Sequence, residues 1–522
     1  MLRRVRRALA GFALLAPIVA FGCVPGRAEL VVVNGGDAAL LDPHLGTSAA
    51  EARVAAALHA GLTRLAPATL APLPDLAEEF NSEEGGRRWL FLLRPSLTWS
   101  DGSPLCAEDF RASWERLRLP ATGAPYASWL DGAAIEIRLR PDGREEIAVE
   151  FPGARPMFAE MTALWPLAPV HATLRAAAPG TLPAPLVTAG PYLLVRRAVR
   201  DRIRVARNPH FWRAESVALG SLDFLAVESQ FTALNLFLAG EADYVPSVPR
   251  LAVPRLLAEH ADAFRPSPQY ASLFLRVNLR HPLLADRDLR CALARALDRT
   301  ALAEALGGAR QPAERLVPPL PGTSRLPVPP PTAAPLGFDP QAARAHLAAA
   351  RARLAASGED PERALAALEL LVPASELNRD LAAALREQWK THLGLPVRIL
   401  ALEGREARAA ERAGEYALSR SSWVGDYLDP ETFLAPFRGG GPGNRTGFAD
   451  PRYDACLDAA AAARDAAERA AQLERAERIL LEEVAVIPLL TDANLELVAP
   501  DLQGFFPNPR GHVDWSALAR RP

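Results

Sequence analysis

Ten prolines fall within the 29 residues from Pro312 to Pro340. Each removes a backbone donor and fixes φ at about −65°, so no regular helix or central strand can run through this stretch. It reads as an extended segment, either a linker or a strap docked between subdomains. The bias is general. The chain holds 48 prolines in 522 residues, which predicts many loops and extended connections and argues against a helical bundle. With 49% hydrophobic and 23% charged residues, the chain is too long for one ordinary domain and too apolar for disorder, so two or three domains are expected. The 59 basic residues, all arginine except Lys390, are balanced by 61 acids, for a formal charge of −2. No net basic field exists to hold nucleic acid.

The N-terminus has the pattern of an export signal. Arg3, Arg4, Arg6 and Arg7 precede an uncharged stretch from Ala8 to Gly22, which is short for a membrane-spanning helix and interrupted by Pro17. Two processing sites compete. Ala20-Phe21-Gly22-Cys23 is similar to a bacterial lipobox, with residues 1–22 removed and Cys23 acylated, although Phe21 is bulkier than usual there. Gly26-Arg27-Ala28 offers small residues for ordinary signal peptidase, releasing a chain that begins at Glu29. The lipobox is the favoured reading, and an uncleaved anchor is the third. Either cleavage removes the four early arginines and leaves a mildly acidic protein outside the cytoplasm. Cys106, Cys291 and Cys456 are far apart and lack a Cys-x-x-Cys or paired histidines, so they read as small buried hydrophobes and leave at least one thiol unpaired.

Periodicity gives mixed α and β structure without an internal repeat. Leu30 to Val33 reads as a buried strand, Val54, Leu58 and Leu62 recur at helical spacing, and Trp89 to Leu93 is a strand. Phe110, Trp114 and Leu117 make one face of a helix whose N-cap would be Cys106, a poor capping residue, with Asp109 in the capping-box position. Ile135 to Phe151 alternates around Pro141-Asp142-Gly143 as a hairpin. Tyr192–Val195, Arg202–Arg207 and Leu222–Val227 read as strands, and Phe231–Leu238 as a helix closed by Gly240. Farther on, residues 341–357 and 376–393 read as helices, 397–402 as a strand and 454–483 as one alanine-rich helical region.

Catalytic patterns are missing. The nine histidines include no His-x-x-x-His pair or His-Glu-x-x-His, and no Gly-x-Ser-x-Gly occurs. Gly439 to Gly443 is glycine-rich but is not followed by lysine or a hydroxyl at phosphate-loop spacing. An exported chain of this size without a catalytic constellation points to binding, with no cofactor.

A series of short motifs makes the reading specific. In order they are Leu41-Asp42-Pro43-His44, Pro74-Asp75-Leu76-Ala77-Glu78, Trp99-Ser100-Asp101-Gly102, Asp109-Phe110, Gly190-Pro191-Tyr192 and Asn208-Pro209-His210-Phe211-Trp212. Ala239-Gly240-Glu241-Ala242-Asp243, Asp288-Leu289-Arg290, Ala296-Leu297-Asp298-Arg299 and Trp423-Val424-Gly425-Asp426-Tyr427-Leu428-Asp429-Pro430 follow. Each is weak alone, but together they span nearly the whole mature chain. The series resembles the oligopeptide-binding family of extracellular solute-binding proteins, the peptide and nickel class that feeds ABC importers. The resemblance implies an α/β, periplasmic-binding-protein-like fold, two lobes closing on a ligand, with an extra inserted α+β domain. The first lobe would gather 29–60, 188–276 and 488–522, the inserted domain 61–187, and the second lobe 277–487, with the proline-rich stretch as a strap in the second lobe.

It also implies a site. Ligand backbone would pair with main-chain groups of Thr47, Ser48 and Ala49 on one side and Ser422, Trp423 and Val424 on the other. Asp426 matches the acid that meets a peptide's α-amino group, with the alternative that it orders the turn into Asp429-Pro430, where Asp429 is placed as a helix N-cap. Arg420 matches an arginine able to meet a carboxylate, Trp423 would wall a side-chain pocket, and Tyr270 completes the candidate set. Trp99, Trp114, Phe110, Trp212, Tyr192 and the turn around Asp42 are expected to serve the fold. The implied partners are a peptide ligand and a membrane permease, with a lipid anchor at Cys23 and a monomeric chain. The competing expectations are a non-peptide ligand such as a metal chelate, sugar or cell-wall fragment, a stand-alone sensor, and a secreted hydrolase.

Overall fold

The structure is a computed structural model describing residues 26–306, 310–319, 336–441, 443–463 and 466–521. The export signal, Cys23 and residues 320–335 of the proline-rich stretch lie outside the described residues.

The chain opens with β1 (Leu30–Val33), buried at every position because parallel neighbours flank it on both edges. A helix follows at Ala49–Leu58. The next segment builds its own sheets. β2 (Thr63–Leu65) pairs with β3 (Pro72–Pro74). β4 (Ala77–Glu83), β5 (Arg88–Leu93), β6 (Ala134–Leu139) and β7 (Glu145–Glu150) form an antiparallel sheet in the order β4-β5-β7-β6. The helix Ala107–Arg118 lays Phe110, Trp114 and Leu117, all fully buried, into the adjoining core, and Trp114 Nε1 donates to the Leu167 carbonyl at 2.9 Å. Cys106 is its N-cap residue, and the carboxylate of Asp109 reaches back to the Cys106 N–H at 3.2 Å.

The chain then returns to the first sheet with β8 (Tyr192–Ala198), β9 (Arg202–Arg207), β10 (Ser221–Leu225) and β11 (Tyr244–Val245). β12 (Phe264–Val277) is long, and β13 (Gln311–Pro312) is the first part of the proline-rich stretch. β14 (Glu369–Pro373), β15 (Arg398–Leu402) and β16 (Leu418–Val424) precede the second long strand, β17 (Val486–Val498). All of these join one 11-stranded mixed sheet in the order β15-β14-β16-β12-β17-β11-β1-β10-β9-β8, with β13 also on β17.

Two large cores sit at opposite ends of this sheet. One draws on residues from Leu30 to Tyr244 and from Val498 to Leu518, with Tyr427 reaching into it. The other runs from Tyr270 to Leu490. Among the described strands, β12 and β17 are shared between the halves. Phe264, Leu495 and Leu497 pack in a small core with β1, whereas Leu273–Val277 and Val486–Leu490 belong to the second large core. Between these anchored ends the sheet splits. Pro268 pairs with Ala493 and Ser272 with Thr491, so three residues of β12 stand opposite Asp492 alone.

Expected core residues are where the motifs place them. Trp99 and Tyr192 are buried. Trp212 is partly buried under the Arg94 guanidinium, 3.8 Å from its ring centroid. Asp42 is buried against Arg116, which also lies 2.8 Å from His44 Nδ1. One expectation changes. The alanine-rich region is two helices, Pro451–Ala462 and Ala466–Glu482, with Ala463 extended between them. Alanine propensity does not dictate this break; tertiary packing overrides it. Of the proline-rich stretch, Gln311–Pro312 is a strand edge on β17, and Leu316 and Leu336 are buried in the second core. Among the described residues the three cysteines are unpaired, Cys291 and Cys456 buried and Cys106 partly so.

Candidate functional site

The site is organised by β16. Ser419 and Ser421 turn inward and donate to Glu411, which also accepts from Arg276 Nη1 at 2.9 Å. Arg420, Ser422 and Val424 occupy the alternate face, where Ser422 and Val424 are exposed and Arg420 Nη1 donates to Ser422 Oγ at 3.3 Å. One edge of β16 pairs with β12 along its whole length, from Val277↔Leu418 to Ala271↔Val424. The other edge pairs with β14 only at Leu418 and Ser419. From Arg420 to Val424 that second edge has no partner strand among the described residues. It is a short row of donors and acceptors able to receive an extended chain.

Beyond β16 the backbone turns at Gly425, whose N–H donates to the Tyr270 carbonyl at 2.8 Å. The Tyr270 N–H in turn donates to Pro509 at 2.7 Å, which ties the C-terminal segment to this turn. Asp426 is held by Thr432: the Asp426 N–H meets Thr432 Oγ1 at 3.2 Å, and that hydroxyl faces Asp426 Oδ2 at 3.5 Å. Trp423 Nε1 donates to the same hydroxyl at 3.3 Å. Burial pushes the Asp426 carboxyl up to about 6, against the opposing pull of the Arg510 guanidinium and the Thr432 hydrogen bond. Arg510 and Tyr126 are themselves partly buried within range of Asp426. A carboxylate with a raised pKa whose side chain accepts one long hydroxyl contact is well suited to a cationic ligand group.

Asp429 is a different kind of acid. It is fully buried, accepts from the Glu431 N–H at 2.8 Å and is clasped by Arg469 at 3.0 Å through both Nε and Nη2. The turn after Asp426 is therefore fixed by Asp429 and Arg469. A cavity of about 310 Å³ lies between the inserted segment and the Tyr427–Leu428 turn, with Leu65, Leu70, Trp89, Met157 and Arg510 in its wall. It adjoins Asp426 through Tyr427.

Two site expectations need correction. Tyr270 is 1% exposed, its ring packed edge-on against Phe433 at 4.9 Å beneath Gly425, so it shapes the turn from inside and presents no surface to a ligand. Thr47, Ser48 and Ala49 are exposed, but the Thr47 and Ser48 N–H groups both donate to Glu51 Oε2 at 2.9 Å. Ser48 also caps the helix through its hydroxyl, which accepts from Glu51 N–H at 3.2 Å. These two donors are thus committed within the chain. Trp423 is half-buried against the second core and does not line the cavity. Arg510, Tyr126 and Thr432 were not candidates from sequence, because they reach Asp426 from other parts of the chain or carry no motif. Among the described residues no group of three or more His, Cys, Asp or Glu side chains could hold a metal ion, and no helix is long and apolar enough to cross a membrane.

Two cores joined by two long strands, with an unpaired strand edge and a poised carboxylate beside the split, define a two-lobed binding protein. The chain belongs to family 5 of the bacterial extracellular solute-binding proteins, whose model matches residues 71–445. The periplasmic murein peptide-binding protein MppA of Escherichia coli K12 is 29% identical over 83% of this chain and 82% of that protein. The probable deoxycholate-binding periplasmic protein YgiS of the same strain is 30% identical over 84% of each. The E. coli MppA structure superposes with a TM-score of 0.82 at 27% identity, covering 95% of this chain and 98% of that one. The unliganded open form of MppA superposes less well, at 0.70 over 95% of this chain and 97% of that one.

Proposed function

We propose that this protein captures short peptides outside the cytoplasm by closing its lobes and delivers them to the membrane permease of an ABC importer, without covalent chemistry. The observation that carries this reading is the unpaired Arg420–Val424 edge running directly into Asp426. A peptide added to that edge would pair through its main chain, which reads no side-chain sequence, and present its α-amino group to Asp426. An unpaired buried carboxylate costs several kcal/mol, so a ligand without the amine is disfavoured. MppA and the oligopeptide-binding protein OppA of Salmonella typhimurium, 26% identical over 92% of this chain and 90% of that protein, support a peptide ligand by their names.

The lobes follow from the same reading: 29–60, 188–276 and 488–522 as the first, 61–187 as the inserted domain and 277–487 as the second. The two cores support a division into two lobes, although the second core takes in Tyr270, Leu273–Leu275 and Leu489–Leu490, and residues 61–187 share the first core. Residues 1–22 are removed on export, Cys23 carries a lipid anchor, and the chain acts as a monomer.

A second reading rests on YgiS: a steroid-like amphiphile in place of a peptide. Native mass spectrometry of the protein purified from its own host separates the two. A set of masses fitting short peptides supports peptide capture, a single sterol-like mass supports the second reading, and turnover of a bound peptide would contradict both.

A further inference from the structure

The second lobe reaches into the packing of the inserted segment at two places. Leu428 rests on the second core but also packs with Leu65, Leu70 and Leu164, against Trp129 and Trp165. Tyr427 is 9% exposed and belongs to the first core, although Trp423 and Phe433 on either side of it pack with the second. Farther along the chain, the Ala154 N–H donates to the Ala461 carbonyl at 2.8 Å. The aromatic wall around Leu428 also borders the ligand site. Tyr126 lies 4.7 Å from Trp129 and 6.3 Å from Trp165 between ring centroids, and Trp165 Nε1 donates to the Gly46 carbonyl at 3.3 Å, next to Thr47.

Local structure presents each of these groups outward from its own lobe. The turn that carries Tyr427 and Leu428 is held from within the second lobe, by the Gly425 N–H on the Tyr270 carbonyl before it and by the Asp429–Arg469 clasp after it. Ala461 lies in the last turn of the helix Pro451–Ala462, where carbonyls have no intrahelical donor. An unbroken helix would have used that carbonyl; the extended Ala463 frees it for Ala154. Between the two contacts lies the cavity of about 310 Å³, with Leu65, Leu70 and Met157 on one side and Leu428 and Ala460 on the other. Domain interiors are packed about as densely as organic crystals, so a void of this size within an apolar contact marks a seam between two separately packed bodies.

We propose that Tyr427 and Leu428 are positioning residues for ligand capture: seated in the inserted segment, they hold the lobes closed over a ligand whose amine lies at Asp426, with the Ala154–Ala461 hydrogen bond as the second point of contact. This rests on the peptide-capture and lobe-closure reading above. Tyr427 and Leu428 directly follow Asp426, so the segment that meets the amine is the one that seats. The seat is apolar and touches no part of the ligand's chemistry. It therefore sets the fraction of closed protein, and with it the affinity of every ligand by the same factor, and leaves selectivity to Asp426. The inserted segment acquires a task, as the surface that receives the second lobe.

The test is a closure-dependent crosslink in the full mature protein, freed of copurified ligand by unfolding and refolding. A Cβ built at Gly153 lies 3.7 Å from the Ala461 Cβ, within the range of about 3.5–4.5 Å that a disulfide needs, so Gly153→Cys with Ala461→Cys, in a Cys106→Ala background, crosslinks only when the seam is shut. Its rate under oxidised glutathione is followed by non-reducing electrophoresis. Tri-alanine is expected to raise the rate about tenfold. Leu428→Ala is expected to lower the ligand-free rate about tenfold, the order of a partly buried leucine's contribution. In calorimetry it should weaken tri-alanine and N-acetyl-tri-alanine by that same factor. Leu164→Ala, on the receiving side, should do likewise, and circular dichroism and unfolding midpoints identify either variant if it fails to fold. An unchanged ligand-free rate in a folded variant, or weakening of tri-alanine alone, would overturn this proposal and leave the peptide reading standing. Wild type that binds neither peptide would contradict the peptide reading, while a ligand-free rate slowed by Leu428→Ala would still support the seat.

Discussion

Asp426 should cost the ligand-free protein stability, and replacing it with Asn should recover that cost. Its carboxyl is raised from 3.8 to about 6, chiefly by burial, even with Arg510 and Thr432 favouring the ionised form. A rise of that size corresponds to about 3 kcal/mol between the protonation states. The folded state holds a proton that the unfolded chain releases above 3.8, so this contribution to stability is present at low pH and is lost as pH rises through about 6. Asn cannot titrate. In urea unfolding of the ligand-free proteins, the stability of Asp426→Asn minus that of wild type should be near zero at about pH 4 and grow towards about 3 kcal/mol by about pH 7.5. A destabilised variant with a pH-independent deficit would refute the reasoning. It would mean that Asp426 braces the turn through Arg510, as a structural acid does.

Other outcomes follow from the same contacts. Affinity for free-amine peptides should fall as pH drops through about 6, by about tenfold per pH unit below it, while N-acetylated peptides should not follow this trend in calorimetric titration between about pH 7.5 and 5. Arg469→Met leaves Asp429 buried without its clasp and should cost about 3–5 kcal/mol of unfolding free energy, much of it recovered in the double variant Arg469→Met/Asp429→Asn. Gly425→Ala places a methyl into the Tyr270 ring, which should cost about 1–3 kcal/mol. Tyr270→Leu should suppress that cost in thermal unfolding.

The elements with strong local signals were legible in the sequence. The 135–151 hairpin announces itself by alternation and a Pro-Asp-Gly turn, and the helix of Phe110, Trp114 and Leu117 by its period. The motif series pointed to β16 and Asp426. Their setting was not legible, because it depends on contacts between distant segments. Nothing local to Arg510 says that it meets Asp426, or to Glu51 that it takes the N–H groups of Thr47 and Ser48. Tyr270 illustrates the limit. A polar aromatic near a cleft reads as a ligand contact, but the close approach of Gly425 leaves its ring covered. The break at Ala463 fails for the opposite reason: a uniformly helix-forming composition carries no signal for where packing ends a helix.

The central claim is that Asp426 receives the amine of a peptide laid along the free edge of β16. Its most direct measurement is the affinity of tri-alanine and N-acetyl-tri-alanine for wild type and Asp426→Ala by isothermal titration calorimetry. The account predicts that wild type strongly prefers the free amine and that Asp426→Ala loses this preference, with little further loss for the acetylated peptide. Equal weakening of both peptides by the substitution would contradict it.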